Sequence, residues 1–253
     1  FFIKKWFNIW MIPLFKSHFS IGRSMLTLDR SSSDGPDSIF QIIQDNKMDQ
    51  LVLVEDSLMG FLHAQKVSKE LGIELIFGLR LDCIGASGDK TSKNKIIVFA
   101  KNGAGCRLLN KIFTNAHTSD ENAISNKDLK SLWSEKDLKL AIPFYDSFLF
   151  NNAMYFSNCI VNFSFTSPTF FIESNGLPFD SIVKDKILSY CEGTDYKTQD
   201  VKSIFYKDRQ DIEAFQTYKC ICSRKFGKRS LSKPNLDHFG SDEFCFESWK
   251  EQV

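Results

Sequence analysis

Asp37–Cys83 reads DSIFQIIQDNKMDQLVLVEDSLMGFLHAQKVSKELGIELIFGLRLDC, and the alternation inside it decides the fold class. Asp37 is placed to cap a helix over Ser38–Asn46, its side-chain oxygen accepting from a free first-turn N–H. Leu51–Val54 is a short unbroken apolar run, the pattern of a strand buried on both faces. Gly60–Leu71 carries apolar residues at helical spacing and stops at Gly72, a residue suited to the left-handed position after a helix. Ile73–Leu81 is the next strand. Outward from this block, 84–94 is a Gly/Ser/Lys turn and Lys95–Ala100 a third strand. Gly105–Thr114 is then a helix with Leu108, Leu109, Ile112 and Phe113 on one face. The second half predicts strands over Ala141–Phe144, Tyr155–Phe156 and Thr169–Glu173, and helices over Phe179–Cys191 and Asp208–Cys222. Strands separated by helices predict parallel strands with helices packed outside, an α/β barrel. No internal repeat is evident.

The bulk properties narrow the classes. A 253-residue chain that is 43% hydrophobic, with 25 phenylalanines, buries a substantial core. Its net charge of +1 supplies no global field toward nucleic acid or acidic membranes. Seven cysteines, odd in number and without a C-x-x-C pair, fit idle thiols in a reducing compartment better than a disulfide framework or a zinc knuckle. Four histidines (18, 63, 117, 238) share no ligand-like spacing. Phe1–Trp10 is aromatic and apolar but is interrupted by Lys4 and Lys5, and a spanning helix needs roughly 20 apolar residues. Residues 1–10 are expected to be an upstream or disordered extension, with Met11 as the natural start and no membrane partner. Residues 11–235 are expected to form the barrel, and 236–253, including Asp237–Glu243, an exit segment toward a further region.

Several phrases, in order, carry a family resemblance. Phe15-Lys16-Ser17-His18-Phe19-Ser20, Leu51–Asp56, Gly72-Ile73-Glu74-Leu75-Ile76-Phe77-Gly78, and Ile97–Asn102 running on to Leu108-Leu109-Asn110 form a collinear series. Pro168–Asp180 and Asp200–Ile221 continue it. The series resembles the polymerase-and-histidinol-phosphatase (PHP) domain of bacterial-type DNA polymerase III alpha subunits. That resemblance implies a distorted, TIM-like (β/α)7 barrel with a metal cleft at the C-terminal strand ends, where barrel chemistry is normally built. Active members are metal-assisted phosphoesterases, in which clustered His, Asp and Glu hold divalent ions that activate water.

Residue by residue, the ligand positions implied by the resemblance hold other chemistry. The first His-x-His becomes Leu14 and Lys16, and the Asp-His pair becomes Glu55 and Asp56. The acidic residue after the second strand becomes Arg80, the His opening the third strand becomes Lys95, and the late Asp-x-His becomes Asp200 and Lys202. Leucine has no donor atom, and protonated lysine and arginine have no lone pair and repel a divalent ion. No catalytic residue and no metal is therefore expected. The alternative is a reduced phosphoesterase or 3′–5′ exonuclease site using Mn²⁺, Zn²⁺ or Mg²⁺ on the remaining carboxylates. For the four cations three readings stand side by side: ion pairs with Glu55, Asp56 and Asp200 that neutralise the old cleft, solvated rim residues, or a phosphate site.

Other features are weaker. His18 is expected to be a hydrogen-bonded structural histidine and His63 an ordinary helix residue. Lys219, Arg224, Lys225, Lys228, Arg229 and Lys233 form a basic run that suits either sequence-independent nucleic-acid contact or a solvated helix end. Cys220-x-Cys222 is too closely spaced for zinc, and Gly103-Ala104-Gly105 lacks the Lys-Ser/Thr of a phosphate loop. The resemblance implies a non-catalytic domain of a DNA-directed DNA polymerase. Its role would be support of the polymerase body, in cis or in trans, and docking of a proofreading or replisome subunit. The polymerase palm is not identifiable in this chain. The compact motifs resemble viral relatives, which would place the protein in the host cytoplasm, otherwise in the cytoplasm. A stand-alone adaptor binding DNA or a polymerase is the remaining alternative.

Overall fold

Ile12–Phe15 (β1) and Gln50–Glu55 (β2) are buried along their whole length and pair in parallel, Phe15 opposite Leu53. Such runs exclude water on both faces, so they belong inside a sheet and not at its edge. The computed structural model describes residues 10–31, 35–85, 92–155, 158–194, 196–223 and 240–253. The remaining strands are Glu74–Ile84 (β3), Asn94–Ala100 (β4), Ile124–Ser125 (β5), Leu138–Ile142 (β6), Thr169–Ile172 (β7) and Lys197–Ile204 (β8). The helices are Ile39–Asp45 (α1), Phe61–Leu71 (α2), Gly103–Thr118 (α3), Asn126–Ser131 (α4), Phe148–Met154 (α5), Asp180–Glu192 (α6), Ile212–Ser223 (α7) and Phe246–Gln252 (α8).

Pairing runs β2-β1-β8-β7-β6-β4-β3-β5, and β2 also pairs with β3. The order therefore closes on itself through seven strands, a mixed β-barrel with helices in the α/β class, and β5 is appended to β3. The expectation of uniformly parallel strands fails at β4, which is antiparallel to both β3 and β6. The connection between β3 and β4 contains no described helix, and a short link returns the chain antiparallel because a parallel return needs a crossover of a dozen or more residues.

The chain divides into two compact units. One comprises Gly78–Glu173 and Pro178–Asp200, the other Trp10–Phe77, Ser174–Leu177 and Val201–Val253, with β3 and β8 contributing residues to each. In the first unit Phe99 and Phe171 meet edge to face at 6.3 Å. Gly78 stands opposite Phe99 in register, where a Cβ would lie 2.5 Å from the phenyl ring. In the second, Phe205 stacks between Phe215 and Phe244, and Phe15 stacks on Phe246. The 244–252 segment is built into this unit: Phe246 N–H donates to Tyr206 O at 3.1 Å and Trp249 Nε1 to Met11 O at 3.0 Å.

Local signals set the ends of several elements. Ser38, not Asp37, caps α1, its hydroxyl accepting from Gln41 N–H. Gly72 ends α2 at φ 69°, a left-handed conformation that costs glycine nothing. Tyr155 closes α5 instead of opening a strand, and Phe156 lies outside the described residues. No helix among the described residues is long and apolar enough to cross a membrane.

Candidate functional site

The end of β1 and the end of β2 lie side by side, and the residues there form a buried polar cluster in the second unit. Lys16 follows β1 and is only 5% exposed. Its Nζ donates to Asp56 Oδ1 at 2.9 Å. Glu55, the last residue of β2, is fully buried. Its Oε1 accepts Ser17 N–H at 2.8 Å and its Oε2 accepts the Ser20 hydroxyl, while Ser20 Oγ also accepts Asp56 N–H at 3.0 Å. Burial pushes the Glu55 carboxyl above its ordinary value, opposed by the Lys16 charge and the hydrogen bonds from Ser17 and Ser20. Leu14 is buried one residue inside the end of β1 and contributes no polar atom.

Lys202 is the second cation of this unit. It sits on β8 opposite Pro13, is fully buried, and donates to Ser174 O at 3.0 Å and Glu243 Oε2 at 3.3 Å. Glu243 also accepts from Arg209 Nη2 at 3.1 Å and from the Ser248 hydroxyl. Partial burial pushes this carboxyl up, but Ser248, Lys202 and Arg209 outweigh it and hold the group below the ordinary glutamate value.

Arg80 and Lys95 belong to the first unit. Arg80 Nη2 donates to Asp146 Oδ2 at 2.7 Å, and Asp146 O accepts the backbone N–H of Lys95 at 2.8 Å. Lys95 Nζ donates to Asp82 Oδ2 at 2.8 Å across the antiparallel β3–β4 pair, where the two residues are in register. Asp200, the last β8 residue of this unit, is half-buried, and its backbone oxygen accepts from the Gln199 side chain at 3.1 Å.

Each of the four cations thus has a carboxylate, but only Asp56 comes from the expected set of Glu55, Asp56 and Asp200. Asp82, Asp146 and Glu243 supply the other three. Asp82 had a readable signal: it lies two residues from Arg80 on one strand, hence on the same face. Asp146 and Glu243 sit in loops distant in sequence, and nothing local marks them. Ser17 and Ser20 are likewise legible as polar residues but not as partners of Glu55.

The donor set at β1 and β2 fits an ammonium ion, not a divalent metal: both Glu55 oxygens accept hydrogen bonds, and Asp56 faces a lysine. Among the described residues no group of three or more His, Cys, Asp and Glu side chains is placed to hold a metal ion. His18 departs from expectation. Its backbone N–H bonds Leu26 O at 2.8 Å and its ring packs 4.3 Å from Phe19, but the buried Nδ1 has no hydrogen-bond partner among the described residues. His63, within α2, reaches Leu28 O through Nε2 at 3.1 Å. Of the basic run, Lys219 is buried on α7, which does not suit phosphate contact, while Arg224, Lys225, Lys228, Arg229 and Lys233 lie outside the described residues. Comparison with protein-family models and with curated proteins finds no match.

Proposed function

We propose that this chain is a non-catalytic, PHP-like barrel domain of a DNA polymerase III alpha-like replicative polymerase. Its role is to support the polymerase body and to dock a proofreading or replisome subunit. The observation that carries the reading is Lys16. At a position where the resemblance implies a metal-ligating histidine stands a buried ammonium, bonded to Asp56 and beside a Glu55 whose two oxygens already accept from Ser17 and Ser20. A cation fixed there repels a second cation and uses the carboxylate that would bind it. The closed α/β barrel is compatible with this reading and does not single it out.

The test is equilibrium dialysis of the full chain against Mn²⁺ and Zn²⁺, with metal quantified and p-nitrophenyl phosphate and a 3′-recessed DNA assayed on the same sample. The expected result is no stoichiometric metal and no turnover. Two or more bound ions, with hydrolysis abolished by Glu55→Gln, would make this a reduced phosphoesterase site. The docking half is tested by size-exclusion chromatography with a polymerase III alpha-type body lacking its own PHP domain. Co-elution is expected, and separate peaks overturn it.

A further inference from the structure

In the first unit, the sheet end at which β6 and β8 begin and β4 finishes gathers lysines. Lys139 is the second residue of β6, in register with Phe99 of β4. Lys101 follows the last residue of β4, and its backbone N–H bonds Asp137 O at 2.8 Å just ahead of β6. Lys197 opens β8 opposite Thr169 of β7, and Thr169 is opposite Ala141 of β6. Lys136 is exposed immediately before them. Lys139 is half-buried, and burial lowers its pKa, helped by repulsion from Lys101 and Lys197 and opposed by Glu135. Among the described residues its side chain makes no hydrogen bond or ion pair.

The acids just ahead of β6, Glu135 and Asp137, are already engaged. Glu135 Oε2 accepts from Trp133 Nε1 at 2.9 Å and from Thr166 Oγ1 at 2.6 Å, and its backbone oxygen accepts Lys101 Nζ at 2.5 Å. Asp137 accepts from Asn102 and Ser134 at 2.9 and 2.6 Å. Among the described residues no carboxylate is bonded to Lys139, while Lys101 and Lys197 press on it with like charge. A half-buried ammonium pressed between like charges works against folding, and such a position becomes favourable when an anion completes it. Beside it Trp133 and Phe165, both partly exposed, meet edge to face at 5.5 Å and 70°.

We propose that Lys101, Lys139 and Lys197, with the Trp133–Phe165 pair, form a binding surface for single-stranded nucleic acid. From β4 to β8 there are three strand spacings, about 14 Å, which is wider than one phosphate and suits successive phosphates of a strand. Aromatic rings next to a basic track take unpaired bases by stacking, and a duplex keeps its bases hidden. This surface is independent of the polymerase reading and of the basic run at 219–233.

Fluorescence anisotropy of a labelled twelve-residue oligothymidylate with the full chain tests the proposal. Lys139→Gln/Lys197→Gln is expected to weaken binding at least tenfold and to lower the log–log salt slope by about 1.4, roughly 0.7 per lost phosphate contact. Thermal unfolding of that variant close to the parent temperature shows that the fold is kept. Trp133→Leu is expected to weaken binding without changing the salt slope. No binding by the parent chain overturns the proposal. So does unchanged affinity in the double lysine variant alongside loss in Lys225→Gln/Lys228→Gln. Equal affinity for a duplex of the same length overturns its single-strand specificity.

Discussion

Replacing Glu55 by leucine separates a structural carboxylate from a catalytic one. The leucine leaves two buried donors without an acceptor, the Ser17 N–H and the Ser20 hydroxyl. Each orphaned donor costs about 1–3 kcal/mol. Relief of carboxylate desolvation and burial of the new apolar side chain return about 1.5–3 kcal/mol. Lys16 keeps Asp56, so its own charge remains paired. The net expectation is a loss of about 2 kcal/mol, a fall of about 0.8 M in the urea midpoint at unchanged slope for a chain of this size. Glu55→Gln preserves shape and one acceptor, and about 1 kcal/mol of loss is expected. Active-site carboxylates behave oppositely, because their removal commonly stabilises the fold. The pH dependence gives a second reading. The folded pKa of Glu55 is raised above 4.5, so the native state holds its proton more tightly than the unfolded chain. The stability this contributes is full below the unfolded value and is lost as pH rises through the folded one. The Gln variant should lack that loss, and its deficit against the parent should shrink above pH 4.5. A Glu55→Leu protein as stable as the parent or more so in urea would refute the argument.

Further outcomes follow from the same geometry. Lys202→Met should cost about 2 kcal/mol by thermal or urea unfolding, below the usual 3–5 for breaking a buried pair, because Glu243 keeps Arg209 and Ser248. Glu243 has a depressed folded pKa, so its contribution is present above the ordinary glutamate value and lost as pH falls through the folded one. An acid titration of stability should show a smaller loss in Lys202→Met than in the parent. Gly105→Ala would drive a Cβ into the backbone oxygen of Asp137, and since neither partner is a flexible side chain, a loss of about 2–3 kcal/mol is expected by thermal unfolding. Cys83 is buried with its thiol pushed up to about 12, and mass mapping after a thiol reagent at pH 8 should find it unmodified until the chain is unfolded.

What the sequence made legible was whatever depended on neighbours along the chain. β2, β7, α2 and α6 follow from short apolar runs, helical spacing and a glycine stop at Gly72. The direction of β4 was also written, in the 84–94 connection, but it was overridden by the helix–strand rhythm around it. Tyr155 misled for a different reason: aromatic residues favour strands, yet Ser147 caps a helix three residues before Phe150, and that cap decides the segment. The Lys95–Asp82 pair becomes readable once β3 and β4 are seen as antiparallel, since opposite charges then stand across the ladder. The Arg80–Asp146 and Lys202–Glu243 pairs span 66 and 41 residues; the β3-β4-β6 order brings the first together, and the return of Phe244 and Cys245 beside Phe205 and Tyr206 the second.

Side-chain exposure in the four pairs shows which member each position was built around. Lys16, Arg80 and Lys202 are exposed by 7%, 12% and 0%, their carboxylates by 33%, 32% and 25%. Only Lys95 and Asp82 are equal, at 25% and 24%. The cation is the inner member and the carboxylate the outer one, the reverse of a metal cleft, where carboxylates line the interior and the ion is their guest. Strands, or the residue next to a strand end, hold the three inner cations. Their counter-charges come from just beyond β2 or from loops, which can be adjusted without disturbing the sheet. A carboxylate left partly in water has a smaller desolvation cost to recover, so an outer acid is the less costly way to accommodate an inward lysine or arginine. In the proposed reading, each cation standing at a lost ligand position was made tolerable separately, by an acid of its own, and no common ion was needed to balance them.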